Sequence, residues 1–99
     1  MPIASPRYAF TATMVSGAPD DSGVYALWEN EELIYYGQAR GANITIRSRL
    51  REHLAGGNDC TRTATHYGWE IAASPSQREA ELLREHERAN RKLPRCNTK

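Results

Sequence analysis

The chain has 99 residues, a length that predicts one compact domain and leaves no room for a second functional domain. Its apolar fraction of 39% and charged fraction of 25% are typical of globular chains. It contains neither an apolar run long enough to span a bilayer nor a signal-peptide pattern. We therefore expect a soluble cytoplasmic protein that does not associate with membranes, and its oligomeric state cannot be read from these features.

The net charge of +1 conceals an uneven distribution. Residues 1–37 carry one positive and five negative charges, residues 38–69 carry five and two, and residues 70–99 carry seven and five. Eleven of the thirteen cations are arginine, whose planar group suits bidentate contacts with phosphate. The basic segments are compatible with a polyanionic partner, although GC-rich coding also enriches arginine.

The two cysteines, Cys60 and Cys96, are too few for a disulfide framework and lack the spacing of a zinc site. In a reducing cytoplasm such residues are usually free thiols. We therefore expect neither a disulfide nor a zinc site.

Residues 1–22 are rich in small residues and end in turn-forming Pro19, Asp20 and Asp21. They predict an irregular lead-in with at most a short strand around residues 8–13. Residues 23–37 contain two runs of strand-forming residues separated by a polar turn, which predicts a β-hairpin.

Strand alternation assigns the hairpin side chains to faces. Tyr25 and Leu27 share one face of the first strand, while Leu33, Tyr35 and Gly37 share one face of the second. Cross-strand pairing is therefore expected to bring the hydroxyls of Tyr25 and Tyr35 into one pocket.

The pattern changes to helical spacing after Gly41, which predicts a helix near residues 44–55 that ends at Gly56. A third strand is predicted at residues 66–72. A second helix should run from Pro75 to about residue 92, with Ser74 and Gln77 forming a capping box and Pro94 ending it.

The predicted order is therefore β-β-α-β-α. This order implies an α/β fold, a small sandwich in which helices flank a three-stranded antiparallel-type sheet, within a domain covering residues 23–97.

Four features of this segment occur in a specific order. The hairpin strands contain Gly23-Val24-Tyr25 and Tyr35-Tyr36-Gly37, and the first helix contains Arg49 followed four residues later by His53. The second helix supplies glutamates, and the chain closes with Pro94-Arg95-Cys96-Asn97. Together these features resemble the GIY-YIG nuclease family over residues 23–97. Tyr36 stands where the family has Ile, and Gln38 stands where many members have Lys or Ser.

The resemblance implies an endonuclease that depends on Mg²⁺ or Mn²⁺ and hydrolyses phosphodiester bonds in nucleic acid, with DNA as the favoured substrate. Tyr25 would assist water activation beside Tyr35, Arg49 would stabilise the phosphate, and His53 would transfer a proton. A free phenol with a pKa near 10 is a poor base, so Tyr25 would need a cation or a proton relay. The residues expected to contact nucleic acid are Gly37, Gln38, Arg47, Arg51 and Asn97, of which Asn97 would orient either the backbone or a phosphate.

Two glutamates of the second helix, Glu79 and Glu85, compete as the metal ligand. Glu79 lies on the predicted buried face of the helix, which Leu82 and His86 mark. A buried carboxylate is costly unless a partner such as a metal ion compensates its charge. Glu85 has the spacing from Asn97 that is common in the family. We favour Glu79 and keep Glu85 open.

Two other functions are compatible with the sequence. The first is a nucleic-acid-binding domain of the same fold that lacks catalysis or depends on a partner for it. The second is a structural or protein-interaction domain, which would have no affinity for nucleic acid even at low salt. Phosphate contacts would instead give binding that weakens as salt rises.

Overall fold

A computed structural model describes residues 2–97, which form one sheet between helices. The strands are β1 (Tyr8–Ala9), β2 (Gly23–Glu29), β3 (Glu32–Ala39) and β4 (His66–Ile71). The helices are α1 (Ala12–Val15), α2 (Ile46–Leu54) and α3 (Pro75–Asn90), and two short 3₁₀ turns occupy Cys60–Thr63 and Arg95–Asn97. Among residues 2–97, no helix is both long and apolar enough to cross a membrane.

The sheet has four strands in the spatial order β1-β4-β2-β3, and all neighbouring strands are antiparallel. The expected three-stranded sheet in the order β-β-α-β-α is therefore wrong, because it omits β1 and α1. Tyr8 of β1 pairs with Tyr67 of β4. The short strand considered for residues 8–13 is present as β1, whereas α1 was not expected, and Val15 and Ala18 of the lead-in are buried in the core.

The predicted hairpin is confirmed, with β2 paired to β3 along its length. Its turn contains Asn30, which has a positive φ of 54°. An irregularity between Leu27 and Trp28 shifts the register, so that Trp28 pairs with Leu33 while Leu27 pairs with Tyr35. This shift moves Leu33 to the opposite face from Tyr35, where it packs beside Trp28. The prediction that Leu33 and Tyr35 share a face is wrong for this reason.

The predicted helices and the third strand are confirmed to within a few residues, and Ser74 precedes Pro75 at the start of α3 as predicted, but the predicted capping box is wrong. Ser74 makes no side-chain hydrogen bond to the helix, whereas Thr45 and Ser48 form a capping box at the start of α2. The two capping residues differ in backbone conformation, with a ψ of 165° at Thr45 and of 78° at Ser74. Thr45 has the extended conformation that directs an N-cap side chain to the first turn, and Ser74 does not. The last residue of α3 is Asn90, and Arg91 follows it with a left-handed φ of 63°.

Hydrophobic clusters cover both faces of the sheet. The first cluster contains Tyr25 and Leu27 of β2 together with Ile46 and Leu50 of α2. The second contains Val24, Ala26 and Trp28 of β2, Tyr36 of β3 and Leu82 of α3. The central strand β2 is therefore buried on both faces, and α2 and α3 lie on opposite sides of it.

Cys60 and Cys96 form a disulfide, so the expectation of free thiols is wrong. The two 3₁₀ turns that carry these cysteines contact each other, and the Cα atoms are 5.6 Å apart. A separation of 36 residues in sequence gave no sign of this contact. The disulfide joins the segment between α2 and β4 to the segment after α3.

Candidate active site

Tyr25 lies at the centre of the sheet and has no exposed surface. Its partners in register are Gly37 on β3 and Trp69 on β4. A Cβ atom added at Gly37 would overlap the phenol ring of Tyr25, so only glycine leaves space for this ring. Gly37 is itself buried, and it therefore serves the packing of Tyr25 in place of the expected contact with nucleic acid.

A chain of buried hydrogen bonds starts at the Tyr25 hydroxyl. This hydroxyl lies 2.9 Å from His53 Nε2, and His53 Nδ1 lies 2.8 Å from the Thr61 hydroxyl. His53 is 7% exposed and Thr61 is fully buried. Sequence reasoning missed Thr61, because a threonine in a polar loop carries no sign that the fold brings it beside a histidine on α2.

Tyr35 and Arg49 form the accessible part of the site. The ring centroids of Tyr35 and His53 are 5.3 Å apart, and those of Tyr35 and Tyr25 are 6.1 Å apart. The guanidinium of Arg49 faces both phenols, and its charge favours their ionised forms. A cleft of about 170 Å³ opens here, lined by Tyr35, Arg49, Glu52, His53, Gly57 and Asn58.

Arg49 is only partly satisfied by its protein neighbours. It donates to Glu52 Oε1 at 2.8 Å, an exposed pair that contributes little stability. Its Nε–H is buried and finds no hydrogen-bond acceptor within residues 2–97. The guanidinium also bonds to the Tyr25 hydroxyl, and it lines the cleft, where its charge is suited to an anionic ligand.

Glu79 of α3 completes the group from the other side of the sheet. Its Oε1 accepts a hydrogen bond of 3.0 Å from Gln38 Nε2, and Gln38 Oε1 accepts a bond of 2.7 Å from the Ser76 hydroxyl. The carboxylate is half-buried, and its charge acts on Tyr35, Tyr25 and Arg49. The structure thus brings Tyr25, Tyr35, Arg49 and His53 together, while Glu79 acts on this group through its charge and does not line the cleft.

Glu85 lies elsewhere on α3. Burial raises the pKa of Tyr36 and the charge of Glu85 raises it further, and the Tyr36 ring belongs to the hydrophobic cluster on the opposite face of the sheet from Tyr25. Of the two competing glutamates, Glu79 is therefore the one whose charge acts on the two site tyrosines.

Burial controls the ionisation of the site. It raises the pKa of Tyr25 far above its ordinary value, with a further increase from Tyr35 and a smaller opposing effect of Arg49. Burial and the charge of Glu79 raise the pKa of Tyr35. Burial and the charge of Arg49 lower the pKa of His53. At neutral pH both phenols are therefore protonated and His53 is neutral.

Several residues expected to contact nucleic acid have other partners. The Asn97 side chain accepts from Tyr36 N and donates to Tyr36 O, both at 2.9 Å, so it orients the backbone of β3 instead of a phosphate. Arg47 is half-buried and donates to the Ala18 carbonyl at 2.9 Å, and is thus not a fully solvated charge. Arg51 is exposed.

A family model described as "Domain of unknown function (DUF7508)" matches residues 1–89. The match includes β1 and α1 as well as every residue of the Tyr25, Tyr35, Arg49, His53 and Glu79 group, and it ends before Cys96 and Asn97. No curated protein and no solved structure matches the chain.

Proposed function

We propose that this chain, which belongs to the family of the Domain of unknown function (DUF7508), is a metal-dependent endonuclease that resembles the GIY-YIG nucleases. It would hydrolyse phosphodiester bonds in nucleic acid, with DNA as the first substrate to test. The observation that carries the proposal is the buried Tyr25–His53 hydrogen bond beside Tyr35, Arg49 and Glu79. Nuclease chemistry needs a proton acceptor, a cation for the phosphate and a ligand for a metal, and this group offers all three.

The first step is the activation of water. Tyr35 lines the open cleft while Tyr25 is buried beneath it, so Tyr35 is the phenol that a bound water meets. In our proposal the water gives its proton to Tyr35, Tyr35 passes a proton to Tyr25, and Tyr25 passes one to His53 Nε2. The neutral state of His53 supports this direction, because a neutral imidazole can accept the proton.

The second step is attack on phosphorus. A bond forms between the water oxygen and phosphorus, and the bond from phosphorus to the leaving sugar oxygen breaks. Arg49 stabilises the negative charge that grows on the phosphate oxygens, because its guanidinium lines the cleft. The leaving oxygen takes a proton from solvent, and Arg51 can bind a flanking phosphate from its exposed position.

Glu79 would hold the metal. No cluster of three or more His, Cys, Asp or Glu side chains suited to a metal occurs in residues 2–97. Mg²⁺ nevertheless binds at sites with one carboxylate when waters and substrate oxygens complete its coordination. Glu79 fits such a site, because burial raises its pKa and a cation would offset the cost of keeping it ionised. When bound, the metal would neutralise charge on the phosphate and the leaving oxygen.

A cleavage assay tests the proposal. Purified protein is incubated with supercoiled plasmid and Mg²⁺, with and without EDTA, and nicked and linear products are quantified. We expect cleavage only with the free metal. Tyr25→Phe should reduce the rate by about 100-fold or more, because it removes the hydroxyl that links the cleft to His53.

Tyr36→Phe is the matched control, because Tyr36 is the other nearly buried tyrosine of the hairpin and its ring packs on the opposite face. It should cleave at close to the parental rate. Salt-sensitive DNA binding without cleavage by the parent protein would support the binding-only alternative. Absence of both binding and cleavage, on DNA and on RNA, would exclude a nucleic-acid enzyme.

A further inference from the structure

Thr61 is a buried polar residue at the inner end of the hydrogen-bond chain. It lies in the Cys60–Thr63 turn, outside every element expected to contribute to the site. A hydroxyl with no exposed surface must be satisfied by protein partners. The partners of Thr61 therefore reveal how the protons in this chain are arranged.

The Thr61 hydroxyl has two partners of different kinds. It donates to the backbone carbonyl of Asn58 at 3.2 Å, and it lies 2.8 Å from His53 Nδ1. A carbonyl can only accept, so the single hydroxyl proton is committed to Asn58. The Thr61 oxygen must then accept from His53, which requires a proton on Nδ1.

The other nitrogen of His53 follows from this assignment. Since His53 is neutral, its Nε2 carries no proton and accepts one from the Tyr25 hydroxyl at 2.9 Å. The Tyr25 oxygen then keeps its lone pairs for the side facing Tyr35 and Arg49. The reverse tautomer would donate from Nε2 to Tyr25 and could accept no proton from it.

The position of Thr61 is fixed by its own turn. The Asn58 side chain accepts from Cys60 N at 2.9 Å and from Thr61 N at 3.4 Å, which orders the start of the turn. The preceding residue, Cys60, is joined to Cys96 by the disulfide. Thr61 is thus held more firmly than a residue of an open loop.

We infer that Thr61 is a positioning residue that holds His53 as the Nδ1–H tautomer, so that Nε2 is the proton acceptor of the Tyr25 relay. This inference rests on the proposed function for its catalytic consequence. The tautomer itself is a property of the folded protein and is independent of any substrate.

The test is a ¹⁵N NMR measurement of the His53 imidazole, whose two nitrogen shifts identify the protonated nitrogen. In the parent protein at pH 7.5 we expect the proton on Nδ1. Thr61→Val keeps the size of the side chain and removes the hydroxyl, so the Nε2–H form should become populated. Thr61→Ser restores a hydroxyl and should restore the parental spectrum.

Cleavage is measured on the same samples. Thr61→Val should lower the plasmid cleavage rate at least about tenfold, and Thr61→Ser should recover most of it. A parent protein with the proton on Nε2 overturns the inference even if Thr61→Val does not fold, and so does a folded Thr61→Val with an unchanged tautomer.

The two proposals fail in distinguishable ways. If the tautomer changes as expected but the protein cuts no nucleic acid, the role of Thr61 stands and the proposed nuclease function is rejected. Cleavage of DNA by a protein whose tautomer does not respond to Thr61 would retain the nuclease and reject the role of Thr61.

Discussion

The Tyr25 hydroxyl is buried in an apolar layer, yet it is linked to polar groups on two sides. Burial makes its ionised form costly, and His53 offers a hydrogen bond that does not require ionisation. Tyr25 is therefore suited to passing a proton and unsuited to storing a negative charge. This arrangement depends on the space above Gly37, because the ring occupies the volume that a larger residue would need.

Gly37→Ala is expected to displace the Tyr25 ring, since the added Cβ would overlap it. Overpacking of this kind costs about 1–3 kcal/mol, so the free energy of unfolding should fall by that amount in urea titrations. Cleavage should fall with it. Gly17→Ala is the control, because its Cβ would meet only the Met14 carbonyl at 3.5 Å. Equal stability and activity in Gly37→Ala and the parent would contradict the packing described for Tyr25.

The metal ligand is assigned by comparing two conservative variants. Glu79→Gln keeps the size of the side chain and removes the charge that acts on Tyr35 and Arg49. It should abolish Mg²⁺-dependent cleavage while leaving the fold intact, because a single ligand has no substitute. Glu85→Gln changes a residue whose charge acts on Tyr36, and it should remain active.

The reverse result would assign the metal to Glu85. If both variants cut like the parent, neither glutamate is the ligand and the site with one carboxylate is wrong. Circular dichroism and DNA binding at low salt serve as controls, because loss of the metal ligand should change neither.

The pH dependence of cleavage should reflect His53. Its pKa lies below the ordinary value of about 6.5, so the neutral form that accepts a proton persists into weakly acidic solution. With saturating Mg²⁺, we expect the acid limb of the rate profile to have its midpoint below pH 6.5 and the rate to be level around neutrality. A midpoint above pH 6.5 would exclude neutral His53 as the acceptor.

The lowered pKa of His53 also makes the stability of the fold depend on pH. The unfolded chain binds a proton at His53 more readily than the folded chain does. Stability linked to His53 is therefore fully present above pH 6.5 and is lost as the pH falls through the lower pKa of the folded state. A folded His53→Asn variant should lack this part of the pH dependence of unfolding.

At the scale of elements, the two 3₁₀ turns do more than connect helices and strands. The Cys60–Thr63 turn carries Thr61, and the Arg95–Asn97 turn carries Asn97, which is bonded to the backbone of Tyr36. The disulfide joins these turns outside the sheet. Two supports of the site, one for His53 and one for β3, are therefore covalently linked.

Removal of this link should be measurable. The disulfide closes a loop with a sequence separation of 36, and a cross-link of this span contributes about 2–4 kcal/mol. The double variant Cys60→Ser with Cys96→Ser should lose stability by that amount in urea titrations. Reduction of the parent protein with dithiothreitol should give a similar loss, to which the double variant is insensitive. If dithiothreitol lowered the free energy of unfolding of the double variant as much as that of the parent, the loss could not be assigned to the disulfide.

The elements differ in how far the sequence could predict them. The hairpin and α2 follow from local patterns, because the apolar run around Tyr25 and the helical spacing of Ile46 and Leu50 both indicate buried segments. The two residues of β1 carry no such pattern, and their strand conformation depends on pairing with β4. The Cys60–Cys96 contact likewise exists only after α3 has returned the chain to the Cys60–Thr63 turn.

The candidate site shows the same division. Motif order in the sequence indicated Tyr25, Tyr35, Arg49, His53 and Glu79 as one group. The fold brings the first four together, and the charge of Glu79 acts on the two tyrosines from outside the cleft. The sequence did not indicate which tyrosine is accessible, because burial of Tyr25 depends on its central position in the sheet and on α2 packing over its face. It also gave no sign of Thr61, or of the use of Gln38 to hold Glu79.

At the scale of the whole molecule, β1 and β3 are the two edge strands of the sheet. β1 pairs with β4, and the backbone of Tyr36 in β3 bonds to Asn97. An outer strand offers unpaired backbone groups to which another chain can add a strand and aggregate. Here the edge strand β1 is only two residues long. On the other edge strand, β3, the Asn97 side chain bonds to the backbone N–H and carbonyl of Tyr36. Asn97→Ala would uncover that backbone, and light scattering at rising concentration should then detect self-association that the parent protein lacks. The amide that supports the candidate site would thus also protect the molecule from its own copies.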